Sequence, residues 1–340
     1  MATVVYSQRL GAIGDEQLDA AARRLNVGRF VRAAPTRGGL FGQNLFLTTT
    51  EGEFVLRGAP HWVDGAPNDQ WQFNKEMFFA RLLHEHTDVP VPWPQLYDAA
   101  SDIFGWPYVI MPRLPGISID DRTLRRTLSL DDQRAVACAL GVGLARLQVL
   151  RAPHAGEVDP SRVFCAYPRG YVRHLADEVE VMAATAQLNG AIVTADRDWI
   201  ERVIGTAGEL APDTSAAIYV HADYKPDNLV LHNAGGQWRV CGIFDLHTSC
   251  FGDGAYDLCR QACSYLDHDE ELARGFVNAW RQASTAPAID AARLTLYLVN
   301  ERLKIWEYFT RPPHRADWTT RTTFAAFAQR YATQLTGLVC

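Results

Sequence analysis

Three side chains with oxygen at their tips carry the strongest chemical signal in this chain. Asp223, Asn228 and Asp245 fall in the segment His221-Ala222-Asp223-Tyr224-Lys225-Pro226-Asp227-Asn228 and its sequel Ile243-Phe244-Asp245-Leu246. That spacing offers what phosphoryl transfer from a nucleotide needs. One carboxylate receives the proton of an attacking hydroxyl, while an amide and a second carboxylate hold magnesium. Magnesium is a hard ion that takes oxygen ligands and keeps waters and phosphate oxygens in its shell, so two protein ligands suit a metal arriving with a nucleotide. Lys225, two residues past Asp223, has two readings: a neutraliser of the transferring phosphate or an ordinary surface lysine.

The elements that must position these groups are legible around them. An apolar run, Ile218-Tyr219-Val220, precedes the motif and another, Leu229-Val230-Leu231, follows it, so the polar residues occupy a loop between two short strands. A turn at Asn233-Ala234-Gly235-Gly236 sends the chain back through Trp238 to Phe244, which returns Asp245 to the loop. One hairpin thus brings Asn228 and Asp245 together. A lone HxD would be an ordinary turn; loop, acidic strand end and the segment Phe251-Gly252-Asp253-Gly254-Ala255-Tyr256-Asp257-Leu258 in register are a far stronger pattern.

On these residues the chain resembles the aminoglycoside phosphotransferase and choline kinase family, which carries HGDxxxxN or HADxxxxN, then an acidic strand end, then a GDPxxDL-type segment. The resemblance implies Asp223 as catalytic base, Asn228 and Asp245 as magnesium ligands, and His221 and Asp257 as braces of the loop. It implies an α+β, two-lobed protein-kinase-like fold, with a small β-rich lobe over residues 1–111, a hinge over 112–116 and a mainly helical lobe over 117–340. It implies ATP, with GTP as the alternative, and Mg2+ as cofactors. The acceptor is expected to be a small-molecule hydroxyl, foremost that of a polycationic aminoglycoside-type antibiotic. Choline, ethanolamine, homoserine, macrolide or sugar acceptors are the alternatives, and a nucleotide-binding pseudokinase is the reading from another class. Departures from protein kinases, with HAD for HRD, Asp245-Leu246-His247 for DFG and no APE, disfavour protein substrates.

Towards the N-terminus, Asp15 is a plausible cap for a helix through Leu25 that Gly28 ends. Three strands then follow, over 28–32, 45–50 and 53–57. Gly38, Gly39 and Gly42 lie between the first two and could let backbone amides approach phosphates, although as a motif they are no more than a hairpin loop. Arg57, at the end of the third strand, occupies the place where the kinase-like fold puts a cation on the phosphates; its fork differs from lysine's point charge. Glu76, in the next helix, is its candidate partner, with Lys75 beside it. A proline-rich extended run over 89–94 precedes a strand ending at Met111. Adenine is expected to bond to backbone between Ile110 and Arg113, with Met111 and Arg113 the contacts.

Beyond the linker the pattern is helical. Residues 131–150 form a core helix, and 153–212 read as a helical insert lining the acceptor site. Residues 293–309 form a long amphipathic helix whose Glu301, Trp306, Glu307 and Tyr308 either receive a cationic acceptor or form a solvated face with core aromatics.

The chain has 340 residues, 48% of them hydrophobic, enough for a sizeable core and too apolar for disorder. A net charge of −6 argues against nucleic acid as main partner. No apolar run is long enough to span a bilayer and no leader pattern opens the chain, so no membrane partner and a cytoplasmic location are expected. Seven cysteines without a CxxC pair predict reduced thiols, and Cys259 and Cys263 predict no zinc site. Oligomeric state is not encoded in any motif. No GxSxG, HExxH or EF-hand pattern offers rival chemistry.

Overall fold

A computed structural model describes residues 4–7, 10–36, 44–58, 69–118, 120–159, 161–209, 217–312 and 314–340. The chain opens with β1 (Val4–Ser7), β2 (Gly11–Gly14) and α1 (Asp15–Arg24). Asp15 is the first helical residue and not the cap. Gly14 holds the cap position, and its N–H donates to Gln17 Oε1 at 3.1 Å. Next come β3 (Phe30–Pro35), β4 (Asn44–Thr49), β5 (Gly52–Gly58), α2 (Asp69–His86), β6 (Leu96–Asp98) and β7 (Tyr108–Pro112). The strands form an antiparallel sheet in the order β3-β4-β5-β7-β6.

Alternation along these strands decides what each face meets. Leu45, Leu47, Leu56, Tyr108 and Ile110 are fully buried with Leu18, Ala21 and Ala22 of α1. The opposite face presents Val55, Val109 and Met111 to Phe73 and Met77 of α2. Arg57 lies two residues from Val55 and therefore points to the α2 side, which is why a helix glutamate can reach it.

The remainder comprises α3 (Asp121–Thr127), α4 (Leu130–Leu147), β8 (Arg151–Ala152), β9 (Gly156–Val158), β10 (Phe164–Ala166), α5 (Gly170–Leu188) and α6 (Thr194–Gly208). Then follow β11 (Ala217–Val220), β12 (Leu229–Ala234), β13 (Gln237–Ile243), β14 (Cys250–Gly252), α7 (Tyr256–Leu266), α8 (Glu270–Ala283), α9 (Ala291–Thr310) and α10 (Phe324–Val339). A large core gathers under α4, α5, α7, α8 and α9. Gly141 lets α4 approach α8 closely, since a Cβ there would stand 2.3 Å from Phe276 O. The two lobes, one built on a sheet and one mainly helical, are those expected.

One expectation changes. Within the segment read as a helical insert, β9 and β10 form a hairpin that joins a second sheet, β10-β9-β14-β11-β8. Both strands are three residues long, too short for alternation to register in sequence. The helices α5 and α6 follow as expected and pack against α9.

After β7 the chain crosses to the second lobe by docking on the hairpin β12–β13. Ile117 and Leu231 exchange backbone hydrogen bonds at 2.8 Å in each direction. Gly116 makes this approach feasible. Its φ is +134°, and a Cβ would lie 2.5 Å from Val230 Cγ1 and 2.7 Å from Leu231 O. Gly116→Ala is expected to destabilise the fold by about 1–3 kcal/mol, combining a clash with a left-handed backbone. Gly105, at φ +84° with open space around it, is the control. Denaturant unfolding should give the larger loss for Gly116→Ala; equal losses would show that the close approach is unimportant.

Candidate active site

The loop that carries Asp223 is held at both ends and in its middle. Tyr224, fully buried, donates its hydroxyl hydrogen to Leu140 O of α4 at 2.8 Å. Asp257, at the start of α7, accepts the N–H groups of His221 and Ala222, both at 2.8 Å. Thr248 Oγ1 donates to His221 O at 2.8 Å. Ala222 sits at φ 63°, a costly conformation for alanine that these bonds sustain. Burial pushes the Asp257 carboxyl up to about 7, against the two amides that favour its charged form. Burial likewise pulls His221 below its ordinary value. The neutral ring fits its neighbours: Nδ1 accepts from Asp223 N–H and Nε2 lies 3.2 Å from Phe244 O.

Asp223 itself has one oxygen engaged. Its Oδ2 accepts from Lys225 Nζ at 2.8 Å and from Asn228 Nδ2 at 2.9 Å. Its Oδ1 has Arg260 Nε at 3.6 Å and no closer partner among the described residues. Asn228 Nδ2 also donates to Asp223 O at 2.9 Å, and the amide oxygen has no hydrogen-bond partner among the described residues. The hairpin then delivers Asp245: Leu229 pairs with Ile243, and Phe244 N–H donates to Asn228 O at 3.0 Å. Asp245 adopts φ 65°, ψ 55°, a left-handed turn that aspartate tolerates better than most residues.

Asp245 Oδ1 meets His247 Nδ1 at 2.8 Å and Arg57 Nη2 at 3.2 Å. Its Oδ2 has no partner among the described residues. Burial opposes its charge, but His247 and Arg57 outweigh burial and hold the carboxyl well below the usual range. Arg57 Nη1 also grips both oxygens of Glu76 at 3.0 and 2.8 Å. Glu76 is 2% exposed, and burial raises it while Arg57 opposes the rise. Lys75 does not compete for this pairing, because it reaches Glu157 of β9 at 3.0 Å.

The donor set suits a hard divalent ion: one amide oxygen and one carboxylate oxygen, both free and on one hairpin. Among the described residues no cluster of three His, Cys, Asp or Glu could hold a metal alone. Gly38, Gly39 and Gly42 lie outside the described residues. Met111 is buried between the sheet and α2. Arg113 is drawn away from the cleft, since its N–H donates to Glu53 O at 3.0 Å and its guanidinium lies 4.0 Å over the Phe46 ring. Its backbone donor is thereby spent within the sheet.

Beside the loop opens a cavity of about 770 Å³, edged by Lys225 and Arg260 and walled by α7, α9 and α10. Among the described residues, none of its lining comes from 153–212, the insert expected to line the acceptor site. Nor do the expected acids of α9 face it freely: Glu301 is bonded to Arg260 at 2.6 Å, and Glu307 to Arg311 at 2.8 Å. Trp306 donates to Ala191 O at 2.7 Å in the core, and Tyr308 stacks on His314. Sequence reasoning missed Arg260. The signal was present, because Arg260 follows Asp257 by one helical turn and so faces the same loop.

A model of the phosphotransferase enzyme family matches residues 33–294. Among solved structures, the GDP complex of aminoglycoside 2'-phosphotransferase-IIIa is 14% identical with TM-score 0.61, over 92% of this chain and 96% of that one. A candidate aminoglycoside phosphotransferase from Ralstonia eutropha JMP134 is 16% identical with TM-score 0.65, over 95% and 97%. A thermostable mutant of aminoglycoside phosphotransferase APH(4)-Ia, with ADP and hygromycin B, is 14% identical with TM-score 0.60, over 94% and 96%. No curated protein matches significantly. With its fold, its acidic hairpin and a family match across most of its length, this chain belongs to the phosphotransferase enzyme family.

Proposed function

We propose that this chain transfers the terminal phosphoryl group of a magnesium nucleotide, ATP or alternatively GTP, to a hydroxyl of a small organic molecule. The observation that supports this reading is that Asn228 bonds Asp223, and that Phe244, next to Asp245, bonds Asn228 O, while Asp223 Oδ1, Asn228 Oδ1 and Asp245 Oδ2 have no hydrogen-bond partner among the described residues. Nucleotides present in solved relatives, GDP and ADP, support the donor class. Kanamycin and hygromycin B in relatives support an aminoglycoside acceptor as one class to test.

In the reaction, the acceptor oxygen attacks the terminal phosphorus as the bond to the bridging oxygen breaks. The hydroxyl proton passes to Asp223 Oδ1, and the products are a phosphate ester and the nucleoside diphosphate. Asn228 and Asp245 would hold magnesium, which when bound neutralises charge on the phosphate oxygens. Lys225 and Asn228 fix the rotamer of Asp223, so the base is pre-oriented before substrate arrives. Arg57 supplies a cation to the phosphates, kept in place by Glu76. His221 and Asp257 work at one remove, by holding the loop.

Asp223→Ala is expected to lower turnover roughly 10² to 10⁴-fold, the range for a positioned general base, with nucleotide affinity unchanged. Wild-type turnover at saturating acceptor would reject the role. Asp245→Ala is expected to weaken magnesium-nucleotide binding in calorimetry, and unaltered affinity would contradict its assignment. Acid behaviour tests His221. Its folded pKa lies below its ordinary value near 6.5, so its contribution to stability is present above that pH and is lost on acidification. Melting temperature should therefore fall between pH 7 and pH 5 more steeply for the wild type than for His221→Gln. Parallel curves would show that His221 is not held neutral.

A further inference from the structure

The cavity beside the catalytic loop has the wrong character for a polycation. Four cationic side chains line it, Lys225, Arg260, Arg302 and Arg330, against two carboxylates, Asp227 and Asp267. Both lining acids are exposed, and Asp267 is already paired. Asp267 accepts from Tyr331 Oη at 2.6 Å and also from Arg330, while Glu301 behind the wall is shared between Arg260 at 2.6 Å and Arg302 at 3.5 Å. Asp227 is exposed. A polyamine entering here would meet like charge first and compensated acids second.

Arg302 is the informative residue. It is only 5% exposed and lines the cavity, yet its Nε has no hydrogen-bond partner among the described residues. With Nε unmet inside the wall and Nη2 no nearer than 3.5 Å to Glu301, the buried charge is incompletely compensated, and an oxyanion against the part of the guanidinium that lines the cavity would offset its desolvation cost. The rings of Tyr331 and Phe327 flank it at 5.1 and 6.0 Å, and Phe309 and Trp318 extend the aromatic wall. Arg260 connects this cation to the reacting centre, since it lies against both Glu301 and Asp223.

We infer that the acceptor is an amphiphilic hydroxylated anion. Its oxyanion, a carboxylate or phosphate, is held by Arg302, with Arg330 at the rim; its apolar body lies on the aromatic wall, and its hydroxyl faces Asp223. A planar guanidinium matches an oxyanion by paired hydrogen bonds. A volume of about 770 Å³ admits a molecule of drug-like size. The destination of the hydroxyl rests on the phosphotransfer reading above; the site for the oxyanion does not.

Three probes on one frame separate the two claims: para-hydroxymethyl benzoate, its methyl ester, and para-aminomethyl benzyl alcohol. Calorimetry on the wild-type protein without nucleotide should give the carboxylate the tightest binding, on the order of tenfold over the ester, the value of one charge-assisted pair. The amine should bind weakest. Arg302→Gln should abolish the preference for the carboxylate, and Arg302→Lys, which keeps the charge and the contact with Glu301, should retain part of it. Equal binding of the three probes, preference for the amine, or tighter binding of kanamycin than of the carboxylate would overturn the inference. Phosphate transfer is then read separately with Mg-ATP. Carboxylate binding without transfer to any probe, and with Asp245→Ala leaving nucleotide affinity unaltered, would sink the phosphotransfer reading and leave the anion site standing. Transfer to kanamycin in preference to the carboxylate would do the reverse.

Discussion

A guanidinium buried between two carboxylates ties this molecule together. Arg57 leaves the third strand of the first sheet, grips Glu76 of α2 through both carboxylate oxygens and touches Asp245 at the end of the catalytic hairpin. Removing a charge from water is expensive, and only close, well-formed pairs offset the cost. The arrangement therefore persists only while sheet, helix and hairpin keep their places. It links the first sheet and α2 to the hairpin that carries Asp245. Arginine rather than lysine suits a junction of three, because its fork can serve two acceptors at once.

The same economy governs the catalytic loop. Polar atoms there are satisfied by the scaffold in a pattern that leaves one oxygen each on Asp223, Asn228 and Asp245 uncommitted. Two left-handed residues, Ala222 and Asp245, lie in and after this loop, and hydrogen bonds with distant Asp257 and Arg57 engage them. Strain of this kind concentrates where geometry is functional. The cavity wall is built elsewhere, on α7, α9 and α10, from arginines and aromatic rings. The acidic hairpin and the cavity wall thus reside on different elements.

Sequence made the local parts legible and the long-range ones obscure. The hairpin that brings Asn228 to Asp245 follows from two apolar runs and a glycine turn, whereas the Arg57–Glu76 pair is legible only through the resemblance to kinase-like folds. The strands β9 and β10 stayed hidden because three residues cannot display a period. Position in the chain places Arg113 at the cleft, yet its amide serves the sheet and its side chain lies over Phe46. Helical spacing leaves Glu301 open to an acceptor; only the fold reveals that it pairs with Arg260 and Arg302. Partners separated by 41 residues, as these are for Arg260, leave no trace in spacing.

The most direct measurement follows the phosphoryl group itself. ATP carrying heavy oxygen on its terminal phosphate is incubated with magnesium, the protein and a panel of hydroxylated acceptors, and the products are weighed by mass spectrometry. The account requires the label to appear as a phosphate ester on an acceptor hydroxyl whose own oxygen is retained, since attack occurs at phosphorus. Label confined to inorganic phosphate, or release no faster than without protein, across anionic, neutral and cationic acceptors alike would contradict it.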